Sequence, residues 1–169
     1  MRWESLKGRN SIKLYAGDIP PTHPQVKTHV GLSLTQDNEN HILHNIENPL
    51  PIPDNSVAVY QSEDVLEHLE TKWVIPLIDE IYRVLEPGGL FRLSVPDYRC
   101  NVLSDRSVWK DEKIIFDPGG GGELVYDASG KPKVIRGGHM WFPMYEGVKW
   151  FINRSMFAAR NAADLAKED

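Results

Sequence analysis

The stretch from Ser56 to Pro96, "SVAVYQSEDVLEHLETKWVIPLIDEIYRVLEPGGLFRLSVP", constrains the fold more than any other part of the chain. It opens on a short apolar run, Ser56 to Ser62, of strand type. The period then changes. Val65, Leu66 and Leu69 give a short helical turn, and Val74, Leu77, Ile78, Ile81, Val84 and Leu85 recur at the spacing of an amphipathic helix that packs on a sheet. Pro76 falls inside this pattern and is tolerable only in the first turn, where its missing N–H has no partner to lose. "EPGG" (Glu86 to Gly89) stops the helix, because Gly88 or Gly89 can take a left-handed conformation, and Leu90 to Pro96 resumes as a strand. A strand, a helix and a strand joined this tightly make a right-handed crossover, which calls for a parallel sheet in an α/β protein.

Ile12 to Ala16 and Thr28 to Leu34 are apolar segments bounded by Gly, Pro and Asp, as expected of strands covered on both faces. The gap between them, "GDIPPTHPQVK", holds Pro20, Pro21 and Pro24, so the first crossover is a loop rather than a helix. "HILHNI" (His41 to Ile46) reads as a third strand, and "PLPIPDNS" (Pro49 to Ser56) as a proline-stiffened turn before the fourth. Beyond Pro96 the pattern loosens. Lys113 to Asp127 reads as a β-hairpin around four glycines, Lys131 to Pro143 as a strand and loop, and Tyr145 to about Ala166 as one or two helices. No internal repeat is visible.

With 169 residues, 41% hydrophobic and 25% charged, the chain has the length and apolar content of one domain with a sizeable core. The net charge of -5 comes from acidic and basic residues mixed along the chain, without the basic stripe that nucleic-acid binding needs. Cys100 is the only cysteine, which excludes an intramolecular disulfide and a cysteine-rich metal site and suits a reducing compartment. The N-terminal "MRWESLKGRNS" has no apolar core of signal-peptide type, and no apolar run approaches the roughly 20 residues of a membrane span. The expectation is a cytoplasmic protein with no membrane and no nucleic-acid partner, its oligomeric state open.

"NPLPIPDNSVAVYQSEDVLEHLE" followed by "LIDEIYRVLEPGGLFRLSVPD" resembles the class I S-adenosylmethionine-dependent methyltransferases, in particular the small type 11 members. Their pattern there is a Pro-Leu-Pro-Phe-type turn, Asp-Asn-Ser, a strand, Leu-Glu-His-Leu, a helix ending in Arg-Val-Leu-Lys-Pro-Gly-Gly, and a strand. Pro49 to Asp97 follows it with small departures such as Glu86 for the common Lys. The likeness extends more loosely back to Ile12 and forward through "GGHMWFPMYEGVKWFINRSMF" (Gly137 to Phe157). It implies a Rossmann-like, doubly wound, mostly parallel sheet, trimmed at its C-terminal edge because the chain ends soon after "NRSMF".

The resemblance also implies S-adenosylmethionine as cofactor, lying across the carboxyl ends of the early strands, where loops part at a topological switch point. Ala16, Gly17 and Asp18 would form the turn near the methionine part, Ser33 and Leu34 would lie near the ribose, His44, Asn45 and Ile46 by the adenine, and Gln61, Ser62 and Glu63 beside the reacting centre. Some positions depart from the family. Ala16-Gly17-Asp18 stands where Gly-x-Gly is typical. Ser33 stands where an acidic residue usually accepts from both ribose hydroxyls, so a charge-assisted pair of roughly 1.5–3 kcal/mol is missing. Asn45 replaces a common Asp and keeps an acceptor.

Other residues carry two readings each. Glu67 and His68 could relay a proton from an acceptor, or Glu67 braces its loop and His68 is a satisfied half-buried residue. His139 could stand over the acceptor site or pack structurally, and His68 and His139 are the candidate bases. Glu63, Asp64, Glu67 and Glu70 read most simply as a solvated helix start. His41 and His44 would point to opposite faces of a strand, so no metal site is expected there. The run Gly119 to Gly122 lies between strands and reads as a hairpin tip rather than a phosphate cradle. Trp109, Trp141 and Trp150 read as core or pocket aromatics. The leading reading is a methyltransferase acting on a small-molecule or sugar acceptor. The alternative is a non-catalytic binding or assembly protein that keeps the fold with a degenerate pocket. A nicotinamide-dependent dehydrogenase is disfavoured, because prolines occupy the place of Gly-x-Gly-x-x-Gly.

Overall fold

The computed structural model describes residues 1–9, 11–130 and 132–159 of the chain. Its centre is a five-stranded sheet in the order β3-β2-β1-β4-β5, built from β1 (Ile12–Ala16), β2 (Val30–Ser33), β3 (His41–Leu43), β4 (Val57–Glu63) and β5 (Leu85–Ser94). All four pairings are parallel. This is the α/β, Rossmann-like architecture that the crossover pattern predicts. Leu14 and Ala16 on β1, with Val57 and Tyr60 on β4, are inaccessible to solvent, as central strands covered on both faces should be.

The proline-rich first crossover contains only a 3-10 turn, Pro24–Lys27, with Pro24 at its first position. Helix α1 (Thr71–Val84) buries Val74, Leu77, Ile78, Ile81 and Val84, the stripe read from the sequence. Pro76 does not sit in the first turn as expected but inside the helix. It is tolerated because Pro76 and Lys72, whose carbonyl loses its partner, are both exposed, so water can take that bond. The helix ends at Val84, and "EPGG" lies within β5, where the register shifts between Val57 and Val59 and Gly88 is left-handed at φ +83.

The last third departs further from expectation. The glycine run does not close one hairpin. It separates two, β6 (Val108–Lys110) with β7 (Lys113–Phe116), and β8 (Glu123–Tyr126) with β9 (Pro132–Arg136). The first reverses through Asp111 and Glu112, both at positive φ, a turn type that favours Gly or Asn and that residue type here did not signal. A short helix α2 (Asn101–Arg106), unmarked in the sequence by any apolar period, precedes them. Helix α3 (Tyr145–Ile152) begins where expected, and part of the second predicted helix lies outside the described residues. Phe157 stacks on Phe91 of β5 at 5.8 Å and meets Tyr82 of α1 edge-on at 5.1 Å.

Arg83 at the end of α1 ties down the "PLPIPDNS" turn. Its guanidinium donates to the carbonyls of Leu50 and Ile52 at 2.9 and 3.0 Å and to Asp54 and Glu80 at 2.7 and 2.6 Å. Glu80 in turn accepts from the Leu50 amide at 2.6 Å. A planar fork is needed to reach these acceptors together. Arg83→Ala is expected to destabilise the protein by about 1–3 kcal/mol in a urea unfolding titration.

Candidate functional site

Strand order reverses at the carboxyl end of β1, between β2 and β4, the place where loops of a doubly wound sheet part. Ala16 stands opposite Leu32 on one side and Ser62 on the other. Gly17 follows at φ +94, its amide bonded to the Leu32 carbonyl at 2.9 Å. An L side chain there would be strained, although a Cβ would meet only Val65 Cγ2, at an ordinary 3.7 Å. Backbone conformation, not crowding, therefore requires glycine, and the face above the turn stays open. Asp18 is exposed beside it.

Behind this turn is a residue whose role the sequence did not reveal. His41 is buried and its Nε2 accepts from the Ile19 amide at 2.9 Å. Nδ1 must then carry the ring proton, which it donates to Asn38 Oδ1 at 3.0 Å. His41 thus holds the 17–19 turn against β3 as a neutral imidazole in one tautomer.

The predicted ribose side centres on a buried hydroxyl. Ser33 is fully buried, and its Oγ accepts from the amides of Thr35 and Gln36 at 3.0 and 2.7 Å. The hydroxyl caps its own loop, while Leu34 is 71% exposed. Among the adenine-side residues, Ile46 belongs to the core, and Asn45 is exposed and accepts from the Glu47 amide at 3.0 Å. His44 packs edge-on against Trp3 at 5.1 Å, and burial holds its pKa below the ordinary value.

On β4, Gln61 and Ser62 are buried, and Ser62 Oγ has no hydrogen-bond partner. Glu63 accepts from Tyr15 Oη at 3.1 Å and from Arg92 on β5. Burial alone would raise the Glu63 pKa, but these bonds outweigh it and hold the carboxyl below its ordinary range. Burial and then Glu63 push the Tyr15 hydroxyl up to about 12.

The turn after β4, Leu66–His68, carries the second half of the site. It is pinned to the segment before α3 by two bonds, from the Met140 amide to the Glu67 carbonyl at 2.7 Å and from Trp141 Nε1 to the Leu66 carbonyl at 2.8 Å. His139 is thereby carried to His68, ring centres 4.8 Å apart and edge-on. Glu67 is not part of a solvated helix start. It is fully buried, neither carboxylate oxygen has a hydrogen-bond partner, and burial pushes its pKa up to about 7. Burial and then His68 hold His139 below its ordinary value.

His139 Nδ1 bonds the hydroxyl of Tyr98, a fully buried residue that also bonds Asp117 Oδ2 at 2.5 Å. Arg106 reaches the same oxygen at 2.7 Å. The glycine run seats this chain of groups rather than forming a free tip: Gly120 is buried, and a Cβ there would approach the His139 ring to 2.9 Å. Tyr98, Arg106 and Asp117 escaped sequence reasoning, since nothing in a linear pattern joins "PDYR" to "FDPGG". Of the tryptophans, Trp141 is half-buried here, whereas Trp109 and Trp150 are 44% and 47% exposed. A cavity of about 750 Å³ lies elsewhere, where Phe91, Leu93 and Val95 face the α3 residues Tyr145 and Val148. Among the described residues, no helix is long and apolar enough to cross a membrane.

A parallel sheet with a glycine turn at its switch point is the frame of a cofactor-binding α/β protein. Residues 9–93, about half of the chain, match the family described as "Methyltransferase domain", and the chain belongs to that family. A stretch of 48 residues is 44% identical to a protein from Mycolicibacterium smegmatis named "Probable S-adenosylmethionine-dependent methyltransferase". That match covers 28% of this chain and 18% of the relative, so the chain spans well under two thirds of the relative's length.

The depressed pKa of Glu63 has a definite sign in stability. Its contribution is fully present above the ordinary value of 4.5 and is lost as the pH falls through the lower folded value. Urea midpoints measured from about pH 6 down to about pH 3 should fall, and Glu63→Gln should flatten the acid part of that curve.

Proposed function

We propose that this chain is a methyltransferase that uses S-adenosylmethionine and acts on a small-molecule or sugar acceptor. The observation that carries the reading is the left-handed Gly17 turn that follows Ala16, itself opposite Ser62 of β4, at the point where strand order reverses. Family membership and the name of the Mycolicibacterium relative support it.

The residues present fit the cofactor on the methionine side. The open face over Gly17, the exposed Asp18 and the unpartnered Ser62 hydroxyl offer a backbone turn, an acceptor for an ammonium group and a free hydroxyl, with Glu63, paired to Arg92, at the end of the neighbouring strand. On the ribose side the contacts would come from the loop that Ser33 caps, Leu34 to Gln36, rather than from Ser33 itself. Asn45 would serve the adenine through its amide, and Ala16 and Ile46 would shape the site from behind.

The cofactor supplies a sulfonium-bound methyl group that a nucleophile displaces in line, so positioning carries most of the catalysis. What the chain itself contributes is a place for the acceptor and for its proton. His68, on the loop leaving β4, meets His139, from the segment before α3, at the same end of the sheet as Gly17. A neutral imidazole there would accept the proton of a hydroxyl acceptor.

One observation favours the second reading, a non-catalytic protein with a degenerate pocket: the Ser33 hydroxyl faces inward, and no carboxylate stands in its place. Calorimetric titration separates the two. Binding of S-adenosylmethionine or its demethylated product is expected, and Gly17→Ala, strained by about 1–2 kcal/mol at its positive φ, should weaken it on the order of tenfold. Absence of heat with the parent protein at about millimolar ligand would establish the degenerate pocket instead.

A further inference from the structure

Buried carboxylates are paired, hydrogen-bonded or bound to metal. Glu67 is fully buried with both oxygens unpartnered, and it faces two imidazoles. One ligand atom each from Glu67, His68 and His139 lies within 4.8 Å of the others.

The hydrogen bonds behind His139 determine what its other nitrogen offers. Asp117 accepts from Arg106, from the Gly119 amide at 2.8 Å and from Tyr98, and as a carboxylate it only accepts. Tyr98 has one hydroxyl proton, which goes to Asp117. Toward His139 its oxygen can then only accept, so Nδ1 of His139 carries the ring proton and Nε2 presents a lone pair. That lone pair faces Glu67 Oε1 at 3.9 Å. The gap is too wide for a shared proton, so neither group satisfies the other. A cation between them would be held by both.

We propose that Glu67, His68 and His139 bind one divalent first-row transition ion. Atoms ligating a common ion at about 2.0–2.2 Å stand no more than about 4 Å apart, so small rotamer adjustments close this cluster onto it. Two imidazoles and one carboxylate favour an ion of the zinc or ferrous type over magnesium or calcium. Tyr98, Asp117 and Arg106 are positioning residues: they fix the His139 tautomer through the nitrogen the ion does not use. Three protein ligands leave coordination positions open, where an oxygen-bearing molecule would bind the ion directly. The site stands independently of cofactor binding. An ion on Nε2 and proton transfer to Nε2 exclude each other, so occupancy also decides which role His139 plays.

The test uses the full chain without a histidine tag, stripped with chelator and titrated with Co²⁺ alone, followed by visible absorption and by thermal melting. Binding of one Co²⁺ per chain is expected, with d–d bands and a raised Tm, and displacement by Zn²⁺. Glu67→Gln and His68→Ala should each weaken binding by at least about 100-fold, and Tyr98→Phe by about 10–100-fold. His68 is half-buried, so His68→Ala keeps the test valid if a change at the buried Glu67 impairs folding. Absence of Co²⁺ binding at about millimolar metal, or binding unchanged in His68→Ala, overturns the proposal.

Discussion

The parallel pairing of β1 with β4 is the interaction on which the rest of the structure depends. It inserts β1 between β2, which follows it, and β4, which comes much later, and so places the reversal of strand order at Gly17. Loops leaving β1 and β2 turn one way and the loop leaving β4 turns the other. The place where the loops part is a consequence of that divergence, not of any particular side chain. The strands that make it are buried on both faces, and a register slip would move apolar side chains out of the core.

A second constraint assembles the other half of the site. Two hydrogen bonds join the turn after β4 to the segment before α3, across sequence separations that no local pattern encodes. They bring His139 to His68 and Glu67, and the Tyr98–Asp117–Arg106 chain fixes the imidazole from behind. Burial in this cluster acts in two directions. It raises the pKa of Glu67 and lowers that of His139, so each group is pressed toward its neutral form while having no direct partner in the other. The site combines a rigid, hydrogen-bonded support with an unsatisfied centre.

Much of the first half was legible because its signals are local. Ile12–Ala16 begins and ends where the apolar run does, the prolines before Val30 exclude a helix, and the stripe of α1 matches its buried face. Ser33 is ambiguous in the sequence for a physical reason: a hydroxyl serves a ligand or its own backbone equally well, and residue type does not say which. His41 and His44 sit three positions apart yet do different work, one clamping the Gly17 turn and the other packing on Trp3. The glycine run looked like a hairpin tip because glycine marks turns and close packing alike, and only the neighbouring His139 ring distinguishes them.

By itself the sequence determined the parallel α/β frame, the glycine turn at the end of β1 and the family to which the chain belongs, because periodicity, breakers and a contiguous motif survive in one dimension. Only the tertiary structure decided that Glu67 is buried and unpartnered, that Ser33 faces inward, and that Tyr98, Arg106 and Asp117 stand behind His139. Those are outcomes of long-range packing, in which a residue's environment comes from chain segments far from it in sequence.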